Sequence, residues 1–330
     1  MQDRVVVTGG AGCIGSDLAA RLLARGAQVT VVDNLSSGKW EHIKELADHP
    51  KFRFVEGDLL SRELLDSVMN RAQMVYHLAA NPDVKFTYGD ATDKDLYQNT
   101  ICTYNVLESM RQHGVSRLAF ASTSAIYGIS ERQPIPEGAP AHPISLYGAT
   151  KLSCEAMIRA FQHLFQMDCW IFRFANIVGP KVRKTGRTVI GDFVANLIEG
   201  PSRLRILGDG RQAKSYLLSE ECVEAMLFAV DHAPRGLHVF NLGCNDSLPV
   251  TRIAQMVVRA MGLDGVRFEY SGGEGGWPGD IPRFVLDVTA INRLGWRARH
   301  TSEEAVAQAI QATLAQIQQE RVEQGVLCRS

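Results

Sequence analysis

Two segments of this chain carry side chains whose types and spacing suit proton transfer. Tyr147 and Lys151 belong to the run Tyr-Gly-Ala-Thr-Lys, and a helix through this run places both side chains on one face, at positions i and i+4. A tyrosine has a reference pKa of about 10, and we expect the neighbouring ammonium to lower that pKa by roughly 1 to 3 units. Thr123 adds a hydroxyl from a separate segment. These groups predict proton exchange with a hydroxyl of a bound substrate.

The plain alternative is that these residues have no chemical role. A Tyr-x-x-x-Lys pair on a helix is in most cases an ordinary surface pair, and the hydroxyl run 122–124 can cap a helix. The position of the residues favours chemistry, because the pair follows the fifth predicted parallel strand and the hydroxyl run ends that strand. Ligands bind where the carboxyl ends of parallel strands meet. We therefore expect Thr123 and Ser124 to contact substrate.

A glycine-rich turn near the N-terminus predicts what binds beside these groups. Arg4–Thr8 is an apolar, β-branched run of strand length, and residues 13–25 repeat their apolar side chains at helical spacing. Gly9, Gly12 and Gly15 lie on the turn between the two runs. Their missing side chains let backbone N–H groups and a helix N-terminus meet a pyrophosphate, so the turn predicts a dinucleotide cofactor.

The end of the second predicted strand, Gln28–Asp33, indicates which dinucleotide binds. Asp33 lies 18 residues beyond Gly15, where a carboxylate can accept hydrogen bonds from the adenosine ribose and would repel a 2′-phosphate. The alternative is an aspartate that only opens the turn 34–38. Because the glycine turn precedes it, we favour the ribose role and predict NAD, with Asp58 near the adenine amino group.

Together the two signals predict nicotinamide redox chemistry. Lys151 would hold the nicotinamide ribose, and the positive ring of NAD⁺ would lower the pKa of Tyr147 further. Tyr147 would then exchange a proton with a substrate hydroxyl while a hydride moves to or from the ring. Cys13 lies near a helix N-terminus, which can depress the pKa of a thiol. We interpret it instead as a small residue packed beside the cofactor.

Strand-like and helical runs alternate through the first half of the chain, which predicts a parallel sheet covered on both faces. The expected fold class is α/β, a Rossmann-type doubly wound parallel sheet with a smaller α/β substrate-binding lobe. We predict an NAD-binding domain at residues 1–180, with parts of about 219–245 returning to it, and a substrate lobe mainly at 181–330. The remaining predicted strands are 52–55, Met74–His77, 117–121, 169–173 and 236–242, and the remaining predicted helices are 94–112, Leu146–Phe165, 219–230 and 301–320.

The composition argues against several classes of function. The chain has 330 residues, 45% of them hydrophobic, and a formal net charge of −1. It has no basic block for nucleic acid or an anionic membrane, and no apolar run near the roughly 20 residues of a membrane span. The first residues lead directly into a strand without a signal-peptide pattern, so we expect a cytoplasmic protein. The seven cysteines show neither close pairs nor metal-ligand spacing, which predicts reduced thiols and no bound metal.

Short motifs spread over nearly the whole chain occur in a recognisable order. They are the glycine-rich run 8–15, Asp33-Asn34, Gly-Asp-Leu at 57–59, His-Leu-Ala-Ala at 77–80, the run 122–128, the run 147–151 and Arg-Phe-Ala-Asn at 173–176. In this order they resemble the extended short-chain dehydrogenase/reductases. Within that superfamily the chain is most similar to the NAD-dependent nucleotide-sugar epimerases and dehydratases, especially those of the UDP-glucose 4-epimerase type.

The resemblance implies roles for individual residues. It implies that Thr123 hydrogen-bonds the sugar O4. The next two positions are Ser124 and Ala125, where 4,6-dehydratases of the family have an acidic pair and UDP-xylose synthase-like decarboxylases have Glu at the second position. Without an acid there, the expected reaction is reversible oxidation at C4, and hence epimerisation. The cofactor contacts expected from the turn and the resemblance are Gly9, Gly12, Cys13, Ile14, Gly15, Asp33, Asn34, Ser37, Gly38, Asp58, Leu59, Leu78, Ala79, Ala80, Asn99, Tyr147 and Lys151.

The second half of the chain departs from the family pattern at the diphosphate. Asn176 matches the asparagine that approaches the diphosphate in the family, but Lys214 and Trp277 stand where many relatives have arginines. Lys214 can contact a phosphate only as a point charge. Trp277 supplies no cation, and it either stacks on a base or sugar or packs its loop. Cations that either compensate or are only surface charges are Arg183, Lys184, Arg187, Arg211 and Arg283.

Three functions stay open at this point. We favour a nucleotide-sugar 4-epimerase for UDP-glucose and UDP-galactose or a close relative. A nucleotide 4-ketosugar reductase would use the same residues and release its cofactor each turn, and Asp33 argues against it because many biosynthetic reductases prefer NADPH. A non-catalytic dinucleotide-sensing protein would not need Thr123, Tyr147 and Lys151 together. The resemblance also implies a homodimer formed through helices 94–112 and Leu146–Phe165.

Overall fold

The computed structural model of the chain describes residues 3–83, 91–181 and 188–323. Arg183, Lys184 and Arg187, which we considered above as substitute cations, lie outside these ranges, as does Cys328, one of the seven cysteines. Within them, no helix is both long and apolar enough to cross a membrane. The six cysteines in the described ranges are all free thiols.

Strands and helices alternate as the sequence predicts. The strands are β1 Arg4–Thr8, β2 Gln28–Asp33, β3 Phe52–Glu56, β4 Met74–His77, β5 Arg117–Thr123, β6 Asp168–Phe174, β7 Asn176–Val178, β8 Arg203–Ile206, β9 Ala213–Lys214, β10 Tyr216–Leu218, β11 Leu237–Leu242, β12 Leu248–Pro249, β13 Arg267–Tyr270 and β14 Arg283–Phe284. The helices are α1 Cys13–Ala24, α2 Arg62–Met69, α3 Cys102–Gln112, α4 Leu146–Phe165, α5 Val189–Glu199, α6 Ser219–His232, α7 Val250–Ala260, α8 Thr289–Leu294 and α9 Ser302–Glu323.

Seven of these strands form one sheet in the order β11-β6-β5-β4-β1-β2-β3, and every pairing is parallel. The central strands are apolar on both faces, as Val5, Val6 and Val7 of β1 show by being buried in succession. A strand buried on both faces needs helices above and below it. Strands β2 and β3 lie on one side of β1, and the later strands of the sheet lie on its other side, beginning with β4. This switch in strand order places a ligand crevice at the carboxyl ends of β1 and β4. The predicted Rossmann-type fold class is confirmed.

Helices α1 and α6 pack together on one face of this sheet, and helices α2, α3 and α4 pack together on the other face. Helix α4 begins where Ser145 caps it, since the Ser145 hydroxyl accepts a hydrogen bond from the Gly148 N–H at 3.1 Å. This cap fixes the start of the helix that carries Tyr147 and Lys151. The predicted helix 94–112 differs in detail, because its residues Leu96–Ile101 form a π-helical turn and α3 begins only after that turn.

A smaller lobe stands beside the carboxyl edge of the sheet. It contains the strand pairs β10-β7 and β13-β8, the small sheet β12-β9-β14, and a separate apolar core among α5, α7 and α9. The chain crosses between the two parts more than once, because β11 returns to the edge of the main sheet beside β6. The domain boundary at residue 180 stays a prediction.

Candidate active site

The glycine-rich turn forms a cradle that side chains would fill. Gly9 has a φ of +69°, and a Cβ atom there would lie 2.6 Å from the Ala79 backbone N. A Cβ atom on Gly15 would lie 2.3 Å from the Gly9 carbonyl O. Helix α1 starts after Gly12 with no side-chain cap, so its first N–H groups have no hydroxyl or carboxylate partner at that position. An uncapped helix start reached by bare backbone suits a pyrophosphate, and the turn fits the predicted dinucleotide.

Asp33 lies at the carboxyl end of β2, and its carboxylate accepts hydrogen bonds from the backbone of the glycine-rich turn and of the loop after β2. Its Oδ2 accepts a hydrogen bond from the Ala11 N–H at 2.9 Å, and its Oδ1 accepts one from the Leu35 N–H at 2.9 Å. Burial raises the pKa of Asp33, while these two backbone donors lower it. Gly38 packs against the same carboxylate, because a Cβ atom there would lie 2.8 Å from Oδ2. The turn role and the ribose role that we weighed for Asp33 are therefore compatible.

Asp58, which we predicted near the adenine amino group, meets another predicted cofactor contact. The Asn34 amide donates a hydrogen bond to Asp58 Oδ2 at 2.9 Å, across the ends of β2 and β3. Leu59 is buried behind them, and Ser37 is half-buried in the same turn. The structure thus joins Asn34 and Asp58 at the carboxyl edge, beside Asp33.

Other predicted cofactor contacts line the crevice between β1 and β4 or support it. Leu78, Ala79 and Ala80 follow β4, and the Leu78 N–H donates to the Thr8 carbonyl at 3.1 Å. Asn99 is buried, its Oδ1 accepts from the Asn81 N–H at 2.9 Å and its Nδ2 donates to Thr150 Oγ1 at 3.0 Å. Asn99 therefore ties the loop after β4 to helix α4. Its direct contact with the cofactor stays a prediction.

Cys13 and Ile14 occupy the first positions of α1 and are half-buried. Burial raises the pKa of the Cys13 thiol to about 12. The lowering that a helix N-terminus can produce is therefore overridden here, and the thiol is protonated near neutral pH. This result favours a small packing residue over the redox alternative.

Thr123 and Tyr147 come together where β5 ends and α4 begins. Both side chains line the adjoining cavity, and the Thr123 Oγ1 accepts from the Ala125 N–H at 3.1 Å. Burial raises the pKa of Tyr147 to about 12, and the hydrogen bond with Thr123 opposes that rise. Our expectation that the residues themselves lower this pKa was wrong. The physical reason is that the cost of burying a phenolate exceeds the help from its protein neighbours.

Lys151 was expected to lower the pKa of Tyr147, but its ammonium contacts other groups. Its Nζ donates to the Ala121 carbonyl of β5 at 2.8 Å and lies 4.7 Å from the centre of the Phe120 ring. Burial lowers the pKa of Lys151 to about 8, while the charge of Glu155 raises it. Lys151 lies one helical turn from Tyr147, as predicted, but its charge is not among the causes that shift the Tyr147 pKa.

The hydroxyl run at the end of β5 divides between two roles. All three residues line the adjoining cavity, and each is largely buried. The Ser122 hydroxyl, however, donates to Glu155 Oε1 at 2.5 Å, inside the protein. Of the three hydroxyls, the Ser122 hydroxyl is used for structure.

A cavity of about 730 Å³ connects these groups with the smaller lobe. Thr123 and Tyr147 line it at the sheet edge, and Asn176 and Lys214 line it in the lobe. Its size suits a ligand as large as a nucleotide sugar. The structure therefore brings Tyr147 and the four predicted substrate contacts, Thr123, Ser124, Asn176 and Lys214, to one cavity. Lys151 is buried and is not among the residues that line it.

Lys214 is held by two neighbours that line the same cavity. Its Nζ lies 2.5 Å from Asp280 Oδ1 and 5.0 Å from the centre of the Trp277 ring. The second carboxylate oxygen of Asp280 accepts from the Gly276 N–H at 2.9 Å. Asp280 thus balances the charge of Lys214. Trp277 contacts the ammonium and lines the cavity, so stacking on a ligand and packing of its loop both remain open.

Two of the cations that we considered as substitutes do not line this cavity. Arg211 and Arg283 are exposed and line a second hollow beside β9 and β14. Lys181, which follows β7, has its Nζ 2.8 Å from Asp17 Oδ1 and 3.3 Å from Ser16 Oγ, at the start of α1. A further cation, Arg205, lines the main cavity and was not singled out from the sequence.

The sequence analysis also missed a buried polar group behind the site. Arg173 forms an ion pair with Glu155, with Nη2 at 2.7 Å from Oε2 and Nε at 3.0 Å from Oε1. Both side chains are almost fully buried. Glu155 lies one turn beyond Lys151 on α4. That spacing was a signal available in the sequence, because a charged residue on the buried face of a helix needs a partner.

Comparisons with known proteins agree with this geometry. A family model described as the NAD dependent epimerase/dehydratase family matches residues 5–243. A UDP-glucose 4-epimerase from Mycolicibacterium smegmatis is 30% identical, with 93% of this chain and 97% of that protein covered. A crystal structure of a UDP-galactose 4-epimerase is 37% identical, with a TM-score of 0.84, covering 95% of this chain and 99% of that one. A UDP-glucose 4-epimerase of Thermotoga maritima, solved with UDP-glucose, is 30% identical, with a TM-score of 0.85 and the same coverage.

Proposed function

Because the chain belongs to the NAD-dependent epimerase/dehydratase family, we propose that it interconverts nucleotide sugars that differ at C4, namely UDP-glucose and UDP-galactose or a close pair. The observation that carries this proposal is the meeting of Thr123 and Tyr147 at one cavity beside the glycine cradle. Ser124 and Ala125, which follow Thr123, offer no acid for elimination of water. Reversible oxidation at C4 is the reaction that this set of groups completes without further help.

The chain's own residues divide the work of proton transfer. Tyr147 removes the proton of the sugar O4 and later returns it, while Thr123 hydrogen-bonds the same oxygen and the Tyr147 hydroxyl. Lys151 supplies a buried positive charge next to the end of β5. The bound NAD supplies hydride transfer to and from C4 and a positive ring that favours the phenolate.

The cavity accounts for the change of face at C4. A 4-keto sugar has to turn over before hydride returns to its other side, and a cavity of about 730 Å³ offers room for that movement. Water exclusion by its largely buried walls strengthens the contacts of Thr123 and Tyr147 with the keto oxygen. The cofactor is unchanged after each cycle, so the protein has no need to release it.

The cofactor is NAD, and the cradle of Gly9, Gly12 and Gly15 would hold its pyrophosphate. Asp33 would accept hydrogen bonds from the adenosine ribose, and Asn34 with Asp58 would face the adenine. The support for these roles is the uncapped start of α1 and the Asp33 carboxylate directly beside it. The remaining cofactor contacts that we predicted, and those of Asn176 and Lys214 with substrate, are proposals of the same kind.

We also propose that the chain forms a homodimer through the π-helical turn with α3 and through α4. Large apolar side chains are exposed there, among them Tyr97 at 49%, Leu164 at 67% and Phe165 at 43%. Apolar groups on neighbouring helices that stay exposed among the described residues are typical of an interface. Light scattering at micromolar concentration should give twice the chain mass, and a monomer would contradict the proposal. A cytoplasmic location and the domain boundary at residue 180 stay predictions.

One experiment separates an epimerase from the ketosugar reductase. UDP-glucose carrying deuterium at C4 is incubated with the purified protein, and the UDP-galactose formed is analysed by mass spectrometry. We expect the label to be retained, because the same hydride leaves and returns within one site. A reductase would give no epimer without a 4-keto substrate and added reduced cofactor. Loss of the label to the medium would contradict hydride return.

A further inference from the structure

A chain of buried hydrogen bonds runs behind the reacting groups. Glu155 accepts from Ser122 on Oε1 and pairs with Arg173 through both of its oxygens. The Arg173 Nη1 also donates to the Tyr127 hydroxyl at 2.8 Å. The Tyr127 hydroxyl in turn donates to Asn241 Oδ1 at 2.7 Å. We call these five residues, 122, 127, 155, 173 and 241, the buried network.

The buried network joins the elements that carry the site. Ser122 is the residue before Thr123 on β5, and Glu155 lies one turn beyond Lys151 on α4. Arg173 lies opposite Ser122 in the register of β5 and β6. The Glu155 carboxylate therefore ties the end of β5 to the helix of Tyr147, in addition to the hydrogen bond from Lys151 to the Ala121 carbonyl.

Burying the charges of Glu155 and Arg173 costs free energy, which well-placed partners have to offset. Glu155 and Arg173 are 1% and 5% exposed, and removing two charges from water is offset only when their partners are well placed. Here the ion pair is made through two hydrogen bonds, and further partners satisfy it, since Ser122 donates to Glu155 and the Glu137 carbonyl accepts from Arg173. An apolar pair of similar volume would fill the same space with no such requirement. This cost indicates a role beyond packing for Glu155 and Arg173.

We propose that Glu155 is a positioning residue, whose carboxylate holds Ser122 and thereby fixes Thr123 relative to Tyr147. The proposal rests on the proposed function for its kinetic consequences. Proton transfer needs the O4 proton, Thr123 and Tyr147 in one alignment, and a displacement of 1 Å can reduce a rate about 100-fold. Nothing in the buried network touches the cavity except Ser122, which lines it at the end of β5.

Ser122→Ala is the decisive variant, because it removes the hydrogen bond between Ser122 and Glu155 while leaving the ion pair of Glu155 and Arg173 intact. We expect kcat to fall about tenfold or more, with KM changed by no more than about twofold, since substrate contacts stay in place. Ser109→Ala is the matched control. Ser109 is a buried serine that donates to Asp66 Oδ1 at 3.1 Å, between α3 and α2. That variant should keep the kcat of the parent protein.

Tyr127→Phe tests whether the effect follows stability alone. It removes two hydrogen bonds at the far end of the buried network, so we expect it to lower the melting temperature more than Ser122→Ala does. Its kcat should nevertheless fall less. If the losses of kcat in the two variants follow their losses of melting temperature, Glu155 acts only through stability and the proposal is wrong.

Glu155→Gln adds a readout of charge. The groups that face Lys151 are His77 on β4, Asp95 before the π-helical turn, and Cys154 and Glu155 on its own helix. Loss of the negative charge of Glu155 disfavours the ammonium form of Lys151 and lowers its pKa. The pH above which kcat/KM falls should therefore decrease by about half a unit or more. Ser122→Ala keeps this charge and should leave that pH unchanged. An unchanged pH in a folded Glu155→Gln variant would contradict the arrangement.

Hydrogen exchange separates failure of this proposal from failure of the proposed function. If the parent protein converts no nucleotide sugar, the proposed function has failed, and amide exchange is still measurable. Ser122→Ala should then speed exchange at residues 121–124 and 145–151, whereas Ser109→Ala should leave both stretches unchanged. Equal exchange in the two variants would overturn the positioning role, whatever the activity of the protein.

Discussion

The cofactor cradle and the substrate cavity are built from the chain in opposite ways. The cradle takes Gly9, Gly12, Gly15 and Asp33 from one strand-helix-strand unit near the N-terminus, and its contacts are mostly with backbone. The cavity combines Thr123 with Lys214 and Asp280, which belong to three distant segments, and these two charges pair with each other. A site of the first kind is visible as a local motif. A site of the second kind depends on pairings that only the fold creates.

The comparison also separates two uses of charge. The Asp33 carboxylate is held by the Ala11 and Leu35 N–H groups, which carry no net charge, so these partners do not neutralise it. The Lys214 ammonium lies 2.5 Å from Asp280 and is already balanced. We therefore expect single substitutions in the cradle or at the proton-transfer groups to have large effects, and substitutions in the charge pair of the cavity to have smaller, coupled ones.

The largest expected effect is that of Tyr147→Phe. It removes the hydroxyl that exchanges the O4 proton, and we expect kcat to fall about 1,000-fold, within the usual range for a general acid-base group. NAD content per chain, measured by absorbance after denaturation, should equal that of the parent protein. Unaltered turnover would contradict the proposed mechanism, and loss of NAD would show that Tyr147 acts mainly in cofactor binding.

Asp33→Ala should have the next largest effect, on the cradle alone. It removes the acceptor of two backbone donors and the proposed partner of the ribose, so NAD affinity should fall about 10- to 100-fold. UDP binding, measured by calorimetry, should stay within about twofold of the parent value because the cavity is separate. Equal weakening of NAD and UDP would show that the two regions are not independent.

The pH dependence of Lys151 sharpens the same comparison. Burial lowers its pKa from 10.5 to about 8 in the folded chain, so kcat/KM should fall as pH rises above about 8. Stability should respond in the opposite direction. Between about pH 8 and 10 the unfolded chain binds more protons at this residue than the folded chain, so this contribution to the free energy of unfolding rises with pH.

Urea unfolding of the parent protein and of Lys151→Met measures that contribution. The stability advantage of Lys151→Met should be on the order of 3 kcal/mol near pH 7 and should shrink toward pH 10. An advantage that does not change over this range would contradict the lowered pKa of Lys151.

The smallest expected effect is the coupling of Lys214 and Asp280. Removing either partner leaves the other charge largely buried, since their side chains are 15% and 3% exposed. Lys214→Met and Asp280→Asn should each lower stability, and the double variant should recover about 1 to 2 kcal/mol relative to their sum. Additive losses would mean that the pair is not an energetic unit and that Lys214 is free to meet a phosphate.

Much of the fold could be predicted because its signals are local. The runs of Val5 to Val7 and the helix after Gly12 each follow from neighbours along the chain, and parallel strands then have few ways to combine. The return of β11 to the sheet was also visible as an apolar run at 236–242. The order of motifs placed Thr123, Tyr147 and Lys151 at one edge.

The pairings within the site could not be predicted in the same way. The sequence places Lys151 one turn from Tyr147, but the hydrogen bond of its Nζ to the Ala121 carbonyl depends on how α4 lies against β5. The contact of Lys214 with Asp280 joins residues 66 positions apart in the chain. The burial that raises the pKa of Tyr147 likewise depends on the assembled walls of the cavity. Each is a property of packing between elements.

The central claim is that the chain interconverts C4 epimers with a retained cofactor. UDP-glucose and UDP-galactose are incubated separately with the purified protein, without added NAD, while NMR follows the anomeric signals and absorbance follows the NADH band. We predict that each sugar yields the other and that no net NADH accumulates. Stoichiometric formation of NADH, or no conversion of either sugar by a protein that demonstrably holds NAD, would contradict the claim.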